Sequence, residues 1–116
     1  MKFPEPELPE APLYRVFRDR GATMVFNAEG DSMAGSPSQI SNGDDLYAKP
    51  ETDLEAANGK VIICSVNGQL FVKRLAIRKA GIFLKSDNPR YTPWPVKESD
   101  LFELVGVVIG RCGEVQ

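Results

Sequence analysis

The chain contains no histidine among its 116 residues, and this absence narrows its chemistry more than any other feature. A nucleophilic serine or cysteine has no imidazole here to take its proton, which excludes His-based triads and Cys–His pairs. The two cysteines, Cys64 and Cys112, are too few and too far apart for a disulfide framework or a zinc site. Cys64 lies within Val61-Ile62-Ile63-Cys64-Ser65-Val66 and reads as a buried free thiol. No apolar run approaches the ~18–20 residues needed to cross a bilayer, and the N-terminus is not basic-then-apolar. A cytoplasmic protein without a membrane partner is therefore expected. Charge of one sign is also scarce: 14 Lys and Arg stand against 16 Asp and Glu, a net charge of −2. Nucleic-acid modules carry a basic excess, so no direct DNA binding by this chain is expected. There is no Gly-rich phosphate loop ahead of a helix, and Asp44-Asp45 reads as solvated turn charge, so no cofactor and no metal is expected.

What is present fits one domain with one ordinary hydrophobic core, since 42% of the residues are apolar and 26% charged. Residues 1–12 carry prolines at positions 4, 6, 9 and 12, a density that favours an extended arm or linker, so the domain is expected over 13–116. From there turn residues recur every 8–15 residues between short β-rich runs. Strands are expected over 14–18, 23–28, 45–48, 61–66, 69–77, 82–85 and 102–109, with one short helical turn over 52–57. Asn67-Gly68 between two apolar runs is the clearest hairpin signal, and Lys79-Ala80-Gly81 marks a second tight turn. The fold class is mostly β, with little helix.

Within this frame, Gly30-Asp31-Ser32-Met33 precedes Lys73 by 41 residues, counted from Ser32 (73 − 32). Without histidine, a lysine held neutral by an apolar setting is the remaining common base for an activated serine. Side chains alternate along a strand, so Phe71, Lys73 and Leu75 share one face of 69–77, while Leu70, Val72, Arg74 and Ala76 share the other. Lys73 is thus flanked by two large apolar residues, which disfavour its ammonium form. Bringing a lysine from about 10.4 to near 7 costs about 4–5 kcal/mol of charge solvation. Each residue also has a plainer reading: Lys73 suits the solvent face of an amphipathic strand, and Gly-Asp-Ser suits an ordinary turn.

The motifs around the pair carry a resemblance. Gly30-Asp31-Ser32-Met33, Asn42-Gly43-Asp44-Asp45-Leu46, Asn58-Gly59-Lys60-Val61-Ile62, Phe71-Val72-Lys73-Arg74-Leu75, residues 84–89 and Val105-Gly106-Val107-Val108-Ile109 resemble, in order, the catalytic domain of LexA, UmuD and the phage repressors. Asn88-Pro89-Arg90-Tyr91-Thr92-Pro93 is similar to that family's Asn-Pro-x-Tyr-x-Pro segment. The resemblance covers about residues 22–112 and implies a twisted, largely antiparallel β-domain. It implies Ser32 as nucleophile, Lys73 as general base, and an oxyanion hole from backbone N–H groups at or beside Ser32 (Asp31, Ser32). It further implies slow self-cleavage of an upstream bond, stimulated by a RecA–single-stranded DNA filament as co-protease, and a homodimer formed partly through the C-terminal strand. The corresponding biology is transcription regulation in the SOS response to DNA damage.

Three departures accompany it. The family cuts at Ala-Gly or Cys-Gly before the serine, and neither dipeptide occurs between Met1 and Ser32. Ala34-Gly35 is too close to the serine, Ala80-Gly81 reads as a hairpin turn, and Cys112-Gly113 follows the last strand. A repressor's helix-turn-helix needs far more than a proline arm. These features fit a catalytic-domain portion of a larger repressor, a processed form, or a short UmuD-like accessory protein. The loop between Met33 and Asn42, resembling that of phage repressors, favours the first. A non-enzymatic dimerisation or partner-docking module is the alternative function. A signal-peptidase-like enzyme, which shares the serine and Lys-Arg signatures, lacks the expected membrane anchor.

Overall fold

Short stretches of alternating burial build this domain. In the computed structural model, which describes residues 12–113, they pair into one seven-stranded antiparallel sheet. The elements are helix α1 (Pro12–Asp19), β1 (Met24–Asn27), β2 (Asp45–Pro50), helix α2 (Leu54–Ala57), β3 (Val61–Val66), β4 (Gln69–Arg78), β5 (Gly81–Lys85), β6 (Trp94–Pro95) and β7 (Phe102–Cys112). The spatial order is β1-β2-β7-β3-β4-β5-β6. The last strand therefore lies in the middle, pairing with β2 on one side and β3 on the other. This is the mostly-β, curled-sheet architecture expected of a LexA-like peptidase domain.

Both faces of the sheet are covered, and β3 shows how. Ile63 packs with Phe26, Met33, Leu46 and Val72 on one face. Ile62, Cys64 and Val66 pack with Leu75, Leu84 and Val107 on the other. Burying a side chain of this size contributes about 1.5–3 kcal/mol, so a strand used on both faces stabilises the fold twice over. Cys64 is a buried free thiol, and burial pushes it up to about 12 despite the opposing pull of Lys73, so it is uncharged at neutral pH. Asn67 and Gly68 both adopt positive φ (52° and 84°), the geometry a two-residue β3–β4 hairpin requires.

Two expectations need correction. Residues 14–18 are helical, within α1, rather than a strand. Pro12 occupies the first helical position, where its missing N–H costs nothing, and Gly21 at φ 100° ends the segment by donating to the Arg18 carbonyl. Phe17 anchors α1 by stacking on Tyr47 with centroids 4.8 Å apart, in a space that any side chain at Gly110 would fill. The second correction concerns Asp44, which is buried rather than solvated: its carboxylate accepts from the Ser41 N–H and pairs with Arg111 at 3.5 Å. Its neighbour Asp45 is exposed, as expected. The remaining arm expectation, over 1–11, lies outside the described residues. Among the described residues no helix is long and apolar enough to cross a membrane.

Candidate active site

The loop after β1 and the first half of β4 meet in a cleft of about 200 Å³. Glu29 and Ser32 line one side, and residues 69–73, ending in Lys73, line the other. The two residues singled out from sequence, far apart along the chain, thus face the same space. Along β4, β3 pairs with Gln69 to Arg74, whereas β5 pairs with Arg74 to Arg78. Among the described residues, no strand pairs with the outer edge of 69–73.

Lys73 has the environment that alternation predicts. It is half-buried on the face that holds Phe71, Leu75, Ile62 and Cys64. Burial lowers its pKa, with Cys64 pulling weakly in the opposite direction. Among the described residues no carboxylate pairs with it. Its Nζ instead donates to Ser86 Oγ at 2.9 Å and lies 5.7 Å from the centre of the Tyr91 ring. The next residue, Arg74, points to the opposite face and makes a bidentate pair with Asp87, Nε and Nη2 each at 2.9 Å from a carboxylate oxygen. That bond raises Arg74's pKa. Burial pushes the Asp87 carboxyl up, but hydrogen bonds from Arg74 and Ser38 outweigh it and hold the pKa below its ordinary value.

Ser32 is half-exposed at the cleft wall, with its neighbour Met33 buried as an anchor in the core. The turn is held by carbonyls: Asp31 O accepts from Ala34 N and Asn88 Nδ2, and Ser32 O accepts from Asn88 N. The Asp31 and Ser32 N–H groups donate to no acceptor among the described residues. At the rim, the exposed Tyr91 donates its hydroxyl to Asp31 Oδ1 at 2.5 Å, and that bond raises the phenol's pKa. Gly35 is indispensable to the packing: a Cβ there would lie 2.4 Å from the Asp87 carbonyl oxygen. This close approach also makes Ala34-Gly35 part of the packed loop, while Ala80-Gly81 forms the β4–β5 turn.

A family model described as Peptidase S24-like matches residues 7–109. The chain belongs to this family. Among Peptidase S24-like relatives, the LexA repressor of Acidithiobacillus ferrooxidans is 30% identical over 110 residues, 94% of this chain and 51% of that protein. The LexA repressor of Oleidesulfovibrio alaskensis is 32% identical over 91 residues, 78% of this chain and 42% of the repressor. That of Acidothermus cellulolyticus is 30% identical over 100 residues, covering 86% and 35%. The chain thus spans about half or less of the length of these LexA repressors. Membership of the Peptidase S24-like family makes a peptidase centre the appropriate frame for the cleft.

Sequence reasoning did not assign roles to Ser86, Asp87, Asn88 and Tyr91, although it noted the segment that contains them. A usable signal was present. The β4–β5 turn sets Arg74 opposite Lys85, so the next position places Ser86 opposite Lys73.

Proposed function

We propose that this chain is the self-cleaving peptidase and dimerisation domain of a LexA- or phage-repressor-like transcriptional regulator that responds to DNA damage. Ser32 is the nucleophile and Lys73 the general base. The observation that carries this reading is the shared cleft, with a half-buried lysine on one wall, which no carboxylate among the described residues pairs, and Ser32 on the other. The neutral amine of Lys73 takes the Ser32 hydroxyl proton as Oγ bonds to a peptide carbonyl. Negative charge developing on the carbonyl oxygen meets the Asp31 and Ser32 N–H groups. Lys73, now an ammonium, gives its proton to the departing amine; water then releases the acyl group by the same base catalysis. This β4 edge, which no strand among the described residues pairs, suits an extended segment, since main-chain hydrogen bonds there would hold the scissile bond across the cleft.

In this reading a RecA–single-stranded DNA filament acts as co-protease, the domain works in the cytoplasm as a homodimer, and DNA is bound by another part of the parent protein. Cleavage of a longer parent chain accelerates as pH rises and Lys73 loses its proton. Ser32→Ala and Lys73→Ala abolish cleavage, and Lys73→Arg does the same because a guanidinium does not deprotonate. Parents carrying these substitutions and cut as fast as wild type would overturn the reading. Sedimentation tests the dimer, which a monomer at high micromolar concentration contradicts.

A second reading, a short UmuD-like accessory or non-enzymatic partner-docking module, is favoured by one observation. Between Met1 and Ser32 the sequence holds no Ala-Gly or Cys-Gly dipeptide. A parent chain lacking such a bond upstream of Ser32 would favour it.

A further inference from the structure

The proposed base and nucleophile belong to parts of the sheet that are not neighbours. Ser32 follows β1 and Lys73 lies on β4, and β2, β7 and β3 stand between those strands. No direct ladder between β1 and β4 sets their spacing. The segment after β5 spans the gap instead. Ser86 accepts from Lys73 Nζ at 2.9 Å, and two residues later Asn88 reaches the nucleophile turn. Its N–H donates to Ser32 O at 3.0 Å and its Nδ2 donates to Asp31 O at 2.9 Å. The Asn88 side chain is itself locked, because its Oδ1 accepts from Arg90 N at 3.0 Å and the residue is 8% exposed. Between these two residues, Asp87 bonds Arg74 on β4 and the Ser38 N–H on the nucleophile's own loop.

Resting on the Ser–Lys reading above, we infer that Ser86 and Asn88 are positioning residues that register the base against the nucleophile. Ser86 occupies one N–H of Lys73 and so directs the remaining positions of the amine, including its lone pair when neutral, toward the cleft. Asn88 holds the Asp31 and Ser32 carbonyls, one on either side of the Ser32 Cα, which fixes Ser32 Oγ and turns the Ser32 N–H, trans to the held Asp31 carbonyl, toward the space a substrate carbonyl would enter. A displacement of about 1 Å in such an arrangement costs about a hundredfold in rate, so two bonds of ordinary strength can have a large kinetic effect.

The test is the pH dependence of Ser32 phosphonylation by a fluorophosphonate, measured on the full chain by intact-mass spectrometry. In that reaction the Ser32 Oγ–P bond forms, fluoride leaves, and the hydroxyl proton passes to Lys73. Ser86→Ala is expected to lower the high-pH plateau by about tenfold or more and to move the acid limb to lower pH, because an acceptor that favours the ammonium is gone. Ser86→Thr, which keeps the hydroxyl, restores both. Asn88→Asp retains the shape and the acceptor for Arg90 but loses the donor to Asp31, and is expected to lower the plateau by about tenfold, while its new carboxylate favours the Lys73 ammonium and so cannot move the limb to lower pH as Ser86→Ala does. Should Asn88→Asp fail to melt cooperatively, the Ser86 pair decides the inference.

Plateaus within about twofold of the parent for Ser86→Ala and a folded Asn88→Asp would overturn the inference, as would failure of Ser86→Thr to restore the rate. The Ser–Lys reading is judged separately in the same experiment. If Lys73→Ala labels as fast as the parent, or the parent does not label at Ser32, that reading falls and the inference with it. If Lys73→Ala abolishes labelling while Ser86→Ala does not slow it, the inference alone falls.

Discussion

Lys73 and Arg74 are adjacent cations on one strand, and the two faces of β4 treat them in opposite ways. Arg74 meets a buried carboxylate in a fork geometry and is held charged. Lys73 meets a hydroxyl, the face of an aromatic ring and an apolar floor, and burial makes its charge less favourable. The same loop supplies both environments, Ser86 for one face and Asp87 for the other. Strand alternation at two paired elements thus suffices to separate a cation held by a carboxylate from one whose charge burial disfavours, one residue apart.

The largest expected effect comes from breaking the Arg74 side. Asp87→Ala leaves a largely buried guanidinium unpaired and frees the Ser38 end of the loop, and is expected to destabilise the domain by about 2–3 kcal/mol in chemical denaturation. The pKa of Asp87 is depressed by folding, so its stabilisation is present above the unfolded value of about 3.9 and is lost as pH falls through the folded value. The cost of Asp87→Ala should therefore shrink in acid. A denaturation midpoint unchanged at neutral pH would remove the contrast between the faces.

Gly35→Ala moves the loop against both faces at once, because its Cβ would meet the Asp87 main chain rather than a side chain that can yield. Overpacking of this kind costs about 1–3 kcal/mol, and the shift is expected to slow Ser32 labelling as well as lower the melting temperature. Lys73→Met should have the opposite sign. The folded pKa of Lys73 is depressed, so its burial cost is fully present below that value and is relieved as pH rises toward the unfolded value of about 10.4. Replacement by methionine is thus expected to raise the melting temperature by a few degrees at neutral pH, a gain that fades in alkali. The smallest effect is that of Tyr91→Leu. Removing a ring that favours the ammonium form should shift the acid limb of labelling a few tenths of a pH unit lower.

Much of this was legible in the sequence because local rules and tertiary demands agree there. The Asn67-Gly68 turn forced the β3–β4 hairpin, and alternation placed Lys73 between Phe71 and Leu75 without reference to any distant element. The strand expected over 69–77 runs one residue further, and that over 102–109 continues to Cys112. The helix over Pro12–Asp19 was missed because Tyr14, Val16 and Phe17 are good strand formers. Its burial rests on Phe17 finding a glycine in β7, far along the chain. Burial of Asp44 was hidden for the same reason, since its partner Arg111 is distant in sequence. The cleft itself was half-visible: Ser32 and Lys73 could be singled out, but the loop that joins them depends on β5 returning beside β4 and then crossing to the β1 turn.

The position of β7 has a consequence in time. Within the sheet, the β1–β2 pair that carries the Ser32 turn and the β3–β6 meander that carries Lys73 are connected by β7 alone. A ribosome that has emitted both residues has not yet emitted the strand that unites their supports. Until Phe102–Cys112 is free to insert, the two halves share no strand pairing, and each is a small ribbon of low stability. Synthesis from the N-terminus therefore delays assembly of the cleft until nearly the whole domain exists, so the two walls that carry Ser32 and Lys73 are fixed in place last.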